Sequence, residues 1–218
     1  MPTPKAGYRL ADGSRVSGTT TIVSAQLAWN KQALMYWAWS QGRDGKDFRE
    51  ERDAAAALGT IVHSCIELEM RGGSWESVWT GASPPEPSFK SLVEPSMLAF
   101  WEWRDSYQLE TTGSEVQLVS EKWRYGGTLD YPARVKGRRV ILDLKTSGNV
   151  YPDHRIQLRA YGELWNENYP EDPVTGYHLL RVGKEDGGFA HHYWPSLEKE
   201  WECFRLLLEL HRLAKELK

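Results

Sequence analysis

The chain has 218 residues, a formal net charge of −3 and ordinary hydrophobic and charged content. That length suits one domain with a substantial core, and the mild negative charge excludes a surface that grips nucleic acid all over. Two cysteines, Cys65 and Cys203, without any C-x-x-C spacing exclude a disulfide framework and point to a reducing cytoplasmic compartment.

Met1–Arg15 lacks the apolar core of a signal peptide, and no uncharged run is long enough to cross a bilayer, so no membrane partner is expected. Residues 1–18 read as an irregular or hairpin-like lead-in. Thr19–Ser24 offers a helix start, and Lys31–Ser40 continues with apolar Leu34, Trp37 and Ala38. Gln41–Lys46 is a polar, Gly-containing break. Asp47–Leu58 then reads as a short helix ending near Gly59, followed by a second helix over Thr60–Arg71. That second helix carries His63, with Glu67 four residues on and therefore on the same face. A lone histidine there is more often an ordinary core residue than a ligand, and Glu67 reads as its orienting partner or as a solvated surface residue.

Ser83–Pro87 is a loop, and Ser88–Tyr107 is a long helix. Glu115–Tyr125 alternates as a strand, with Glu121 a candidate acidic ligand or a bridge to a basic neighbour. Two strand-like runs follow, Leu129–Val135 and Arg139–Lys145, joined by a basic turn over Lys136–Arg139. Such a hairpin sets Asp130, early in the first strand, beside Asp143, late in the second. Side chains repeat every second residue along a strand, so Asp143 and Lys145 project together. Two carboxylates and an ammonium at one strand end make a poor core and a good site for a divalent cation. Asp153–Asn168 reads as a helix with Gln157 and Tyr161 one turn apart.

Val174–Val182 and Phe189–Trp194 read as strands around a turn at Lys184–Gly188, and Ser196–Lys218 as a closing amphipathic helix suited to core cover or an oligomer contact. His191 and His192 are adjacent, so they face opposite ways and cannot share one metal. They read as surface histidines. Eleven tryptophans are unusual. Trp29, Trp37, Trp39, Trp101, Trp103 and Trp123 read as core and groove-wall residues, with stacking on unpaired bases the sharper alternative. Basic residues that could follow a phosphate backbone are Lys122 with Arg124, Lys136, Arg138 and Arg139, and Arg155 with Arg159.

Gly127-Thr128-Leu129-Asp130, then Asp143-Leu144-Lys145-Thr146, then Gln157-Leu158-Arg159-Ala160-Tyr161, with Gly59-x-x-x-His63 upstream, resembles the motif series of the PD-(D/E)XK nucleases. More narrowly it is similar to the RecB-like exonuclease branch, which includes the Cas4 proteins and phage and mitochondrial relatives. Leu129 stands where the first motif's proline would be, and G-x-x-D is common there in this branch. The resemblance implies an α/β fold with a restriction-endonuclease-like core: a central mixed sheet flanked by helices. Residues 1–110 would form a mainly helical wall carrying His63, and 111–218 the sheet core.

It implies a Mg²⁺- or Mn²⁺-dependent DNA exonuclease of recombination, repair or DNA processing, of the stand-alone phage type. Metal ligands would be His63, Asp130, Asp143 and the main-chain carbonyl of Leu144. Lys145 would orient water and stabilise charge, with a pKa free to fall near a metal in a partly dry cleft, and Gln157 and Tyr161 would contact the scissile region or brace the site. The four cysteines of an iron–sulfur cluster are missing, so that cofactor is not expected. The alternatives are a structure-specific endonuclease of the same fold and a non-cleaving DNA-binding or assembly protein. A homo-oligomer or a recombination partner protein is compatible with each.

Overall fold

The computed structural model describes residues 7–26, 31–146, 149–182 and 189–217. Its chain is built around a five-stranded mixed sheet in the order β3-β6-β7-β8-β9: Leu109–Thr111, Tyr131–Val135, Arg138–Lys145, Tyr177–Val182 and Phe189–Trp194. Within this sheet, among the described residues, the β7–β8 pair is parallel and the other pairs are antiparallel, and the connection between β7 and β8 includes helix α5, Pro152–Asn168. That is the crossover a parallel pair requires. A separate hairpin, β4 (Val116–Ser120) with β5 (Tyr125–Leu129), precedes the sheet. A smaller one, β1 (Tyr8–Arg9) with β2 (Arg15–Val16), opens the described chain.

Central strand β7 explains the two-sided core. Every residue from Arg139 to Leu144 is buried, and alternation sends them to opposite faces. Ile141 joins Tyr177 and Leu179 under helices α1 (Thr19–Gln26), α5 and α6 (Glu198–Glu216). Leu142 and Leu144 join Leu180 and Val182 under α3 (Phe48–Met70) and α4 (Ser88–Ser106). The central mixed sheet flanked by helices is therefore present as expected. Helix α2 (Lys31–Arg43) lies outside both clusters, and its Trp39 is 57 % exposed, so the core reading does not hold for that tryptophan. Trp103 is buried. Trp29 and the turn at Lys184–Gly188 lie outside the described residues.

Two elements differ from the pattern read along the chain. The expected break at Gly59 is absent: α3 runs unbroken for 23 residues, capped by Asp47, which accepts the Arg49 amide at 2.8 Å. The apolar face of Leu58, Ile61, Val62, Cys65 and Ile66 packs continuously enough to carry a glycine through the middle. The run Glu115–Tyr125 is a strand followed by a reversal, not one strand, and Ser120 pairs with Tyr125.

The segment leading to Asp130 is gripped from three directions. Gly126 donates to the Ser17 carbonyl at 3.0 Å and accepts from the Thr19 hydroxyl at 2.9 Å. The Tyr125 hydroxyl reaches the Ala160 carbonyl of α5 at 2.7 Å. A Cβ on Gly127 would come within 2.8 Å of Leu164 and Tyr161 and within 2.9 Å of Thr19 Oγ1. Only glycine allows this approach of strand, α1 and α5. Gly127→Ala is expected to lower stability by about 1–3 kcal/mol through overpacking, seen as a lower urea midpoint at unchanged m-value. An unchanged midpoint would show that the three elements can part without cost.

Candidate functional site

Asp130 sits in the single residue between β5 and β6, where the chain leaves one hairpin and enters the main sheet. Leu129 still pairs with Val116, while Tyr131 pairs with Leu142. This places Asp130 beside the carboxyl end of β7, where Asp143 and Lys145 share a face. Lys145 Nζ lies 2.7 Å from Asp143 Oδ2. Asp130 and Asp143 are 3 % and 1 % exposed. The expected union of Asp130, Asp143 and Lys145 is thus what the fold assembles.

The electrostatics follow from that burial. Desolvation, then the neighbouring charge of Asp143, pushes the Asp130 carboxyl well above the usual carboxylate range, opposed by Lys145 and by the Leu144 amide. Lys145 feels burial pulling it down, but Asp143 and Asp130 outweigh this and hold it above its ordinary value. With both carboxylates beside it, Lys145 is held as an ammonium. His63 is pushed down to about 4, chiefly by burial, with Asp143 opposing and Lys145 adding to the fall. At neutral pH its imidazole is uncharged and keeps a lone pair.

His63 enters from α3 and lines a cleft of about 410 Å³ together with Gly59, Glu67, Glu115, Asp130 and Thr146. On the other side, the Gln157 side-chain amide donates to the Tyr161 hydroxyl at 2.6 Å and to Thr20 Oγ1 at 3.3 Å. Tyr161 is buried and its hydroxyl pKa is raised, first by burial and then by Asp130 and Asp143. Gln157 and Tyr161 therefore stand at the site as one braced pair.

Other candidates go elsewhere. Glu121 is at the β4–β5 turn, where it accepts the Ala11 amide at 2.6 Å. The strand enters the site at its other end, so the acidic residue on the cleft is Glu115, whose amide bonds the Asp130 carbonyl at 3.0 Å. Glu67 lines the cleft but is paired with Arg71 at 2.5 Å. Arg155 and Arg159 are two residues from Gln157 and so about 200° around the helix from it. Arg155 pairs with Glu200 of α6. Arg159, 7 % exposed, bonds Glu163 at 3.1 Å and lies over Trp201 at 5.0 Å. Both lock α5 to α6 instead of facing the carboxylates. Arg139 is buried against Asp172 at 2.7 Å and Trp165 at 4.4 Å. Lys136 and Arg138 are exposed at the far end of the β6–β7 hairpin.

Two residues near the site escaped the sequence reading. Thr20 braces Gln157, and half-buried His154, whose pKa is lowered by burial and then by Lys145, begins α5 beside the ammonium. Neither belongs to a motif.

Among the described residues no three His, Cys, Asp or Glu groups close around a single point. The donor chemistry nevertheless fits a hard divalent cation. Both Asp143 oxygens are buried, Oδ2 against Lys145 Nζ at 2.7 Å and Oδ1 without a hydrogen bond, and a second carboxylate faces them across the site. Oxygen donors of this kind suit Mg²⁺ or Mn²⁺.

No protein-family model matches the chain, and neither does any curated protein. Among solved structures, the chain is similar to a candidate exonuclease from Eubacterium rectale, with a TM-score of 0.48 and 13 % identity over 72 % of this chain and 65 % of that one. It therefore spans just under two thirds of that protein's length. It is also similar to LHK-Exo, solved in complex with dAMP, with a TM-score of 0.37 and 12 % identity over 93 % of this chain and 95 % of that one. Likeness of this degree concerns the course of the chain and says nothing of the side chains in the cleft. Among the described residues no helix is long and apolar enough to cross a membrane.

The raised Asp130 pKa has a sign that can be tested. Its folded value lies above its unfolded one, so the stability it contributes is present at low pH and lost as pH rises. In EDTA, Asp130→Asn should raise the melting temperature at pH 7–8 by a few degrees, about 2–4 °C per kcal/mol for a chain of this size, with the gain vanishing below pH 4. A lower melting temperature at pH 8 would show that ionised Asp130 stabilises the fold.

Proposed function

We propose that this protein is a Mg²⁺- or Mn²⁺-dependent deoxyribonuclease that hydrolyses phosphodiester bonds from DNA ends, in recombination, repair or DNA processing. The observation that carries this reading is the buried Asp143 carboxylate, set against buried Asp130 and paired through Oδ2 with Lys145 at 2.7 Å. The ordered motif series and its resemblance to RecB-like exonucleases favour removal of terminal nucleotides over internal cutting.

Asp130 and Asp143 would hold the cation, with His63 and the Leu144 carbonyl as further donors. Once bound, it supplies charge neutralisation at the phosphate and a more acidic water. Lys145, kept as an ammonium by its two carboxylate neighbours, orients the attacking water and balances charge that grows on the phosphate oxygens. Neutral His63 offers a nitrogen that Asp143 alone does not protonate. Gln157 and Tyr161 fix the wall against which the scissile group rests.

The test is cleavage of end-labelled linear and covalently closed circular DNA, single- and double-stranded, with Mg²⁺, Mn²⁺ or EDTA. Linear substrates should be degraded, circles spared and EDTA inhibitory. Asp143→Ala and Lys145→Ala should each lower turnover at least about 10²-fold with unchanged melting cooperativity, and His63→Ala should raise the metal concentration required. Activity retained in both former variants would discard the site assignment. Cutting of circles would replace the exonuclease by an endonuclease, and binding without cleavage would leave an assembly protein.

A further inference from the structure

The β6–β7 hairpin carries four cations within six residues: Arg134, Lys136, Arg138 and Arg139. One carboxylate serves two of them. Asp172 bonds Arg134 at 2.9 Å and Arg139 at 2.7 Å, and these contacts hold its pKa below the usual range. Lys136 and Arg138 have no carboxylate partner among the described residues. Instead they line a second cavity of about 250 Å³, bordered by Tyr107, Thr175, His178 and Tyr193 and by no acidic side chain.

The cavity is built, not incidental. Lys136 and Gly137 have φ of +50° and +75°, the pair of left-handed residues that a two-residue hairpin turn requires. Asparagine or glycine would occupy the first of these positions at less cost, so a lysine there is a local expense without a local return. Arg134 clamps the turn through the Gly137 carbonyl at 3.0 Å. Lys136 Nζ is 5.4 Å from the centre of the Tyr107 ring. The inner wall is buried His178, whose Nδ1 is 2.8 Å from His191 Nε2 and whose ring lies 4.8 Å from that of Tyr193. Both histidines are pushed down to about 4, first by burial, so the wall is uncharged at neutral pH. His191, packed against Trp103 and Tyr107, is thus part of an aromatic cluster and not a surface histidine as its sequence position suggested.

Two cations without a carboxylate partner call for an anion, and the half-exposed ring of Tyr193 beside them offers a face to a base. The volume lies just under the range of about 300–1,000 Å³ usual for small-molecule sites, the scale of one small ligand. We infer that this cavity binds a single nucleoside 5′-monophosphate unit, phosphate against Lys136 and Arg138 and base against Tyr193. The unit can come from a free mononucleotide or from the 5′-phosphorylated end of a DNA strand. Five residues of extended β7 separate Arg138 from Asp143, roughly 17 Å at about 3.3 Å per residue, so this site is distinct from the carboxylate cleft. It stands whether or not that cleft cleaves DNA.

Calorimetric titration of the full chain in EDTA, with 2′-deoxyguanosine 5′-monophosphate as probe, tests it. One mole should bind per chain. The pair Lys136→Asn and Arg138→Gln should weaken binding about tenfold or more while leaving the melting temperature in place, since asparagine tolerates the left-handed turn. Deoxyguanosine lacking the phosphate, and inorganic phosphate lacking the base, should each bind more weakly than the nucleotide. Asp143→Asn should leave affinity unchanged. Competition by a 5′-phosphorylated single-stranded oligonucleotide, but not its 5′-hydroxyl counterpart, identifies the strand end as the source; failure of both to compete identifies the free nucleotide. Absence of binding at millimolar probe, or binding lost in Asp143→Asn but kept in the hairpin variant, overturns the proposal.

Discussion

Two carboxylates that repel each other in a dry place set the terms for this protein. Asp130 and Asp143 are both buried, and a single ammonium, Lys145, offsets them. Such a pair does not hold itself together, because removing charge from water costs more than one ion pair returns. It persists because the surrounding backbone leaves it no alternative. Asp130 is fixed by strand pairing on both sides of it, and Asp143 sits in the central parallel pair. The hydrogen bonds from Gly126 and Tyr125 to the Ser17 and Ala160 carbonyls, that from the Thr19 hydroxyl, and the closeness of Gly127 to α5 keep the Asp130 strand from swinging away.

The core of this arrangement was legible in the chain because it depends on short-range periodicity. Asp143 and Lys145 share a face by strand alternation, Gln157 and Tyr161 by helical spacing, and Asp130 meets Asp143 by the reversal between their strands. Each of these is a local rule. What was hidden lay at reversals made by residues that do not advertise them. Arg124 takes φ +52° at the β4–β5 turn, and Gln108 takes φ +49° just before β3. With neither glycine nor asparagine at those points, Glu115–Tyr125 read as one strand, β3 went unseen, and Glu121 was placed near the site in the position that Glu115 holds.

The basic residues were hidden for a different reason. A positive side chain looks the same in sequence whether it meets solvent, a carboxylate or a ring, and only the fold decides. Arg159 and Arg139 are each sandwiched between an acid and a tryptophan. A guanidinium suits that place because its charge is delocalised, weakly hydrated and flat enough to stack. They act as cement for α5, α6 and the sheet edge. At the β6–β7 turn, Lys136 and Arg138 have no carboxylate partner among the described residues and border a cavity instead.

One hairpin therefore carries opposite needs at its two ends. Where β6 and β7 leave the α5 crossover, two carboxylates exceed their one ammonium. Where the strands turn, four cations exceed their one carboxylate. The antiparallel ladder between them, with Tyr131 paired to Leu142 and Val135 to Arg138, is a stiff spacer. Neither end can relieve the other, because a separation of roughly 17 Å exceeds the screening length of about 8 Å at physiological ionic strength. Burial answers the first imbalance within the chain by raising the Asp130 pKa, while the second is left at an exposed turn. Under the proposed reading the two ends take different partners: a metal ion offsets the carboxylates, and a phosphate offsets the cations at the turn.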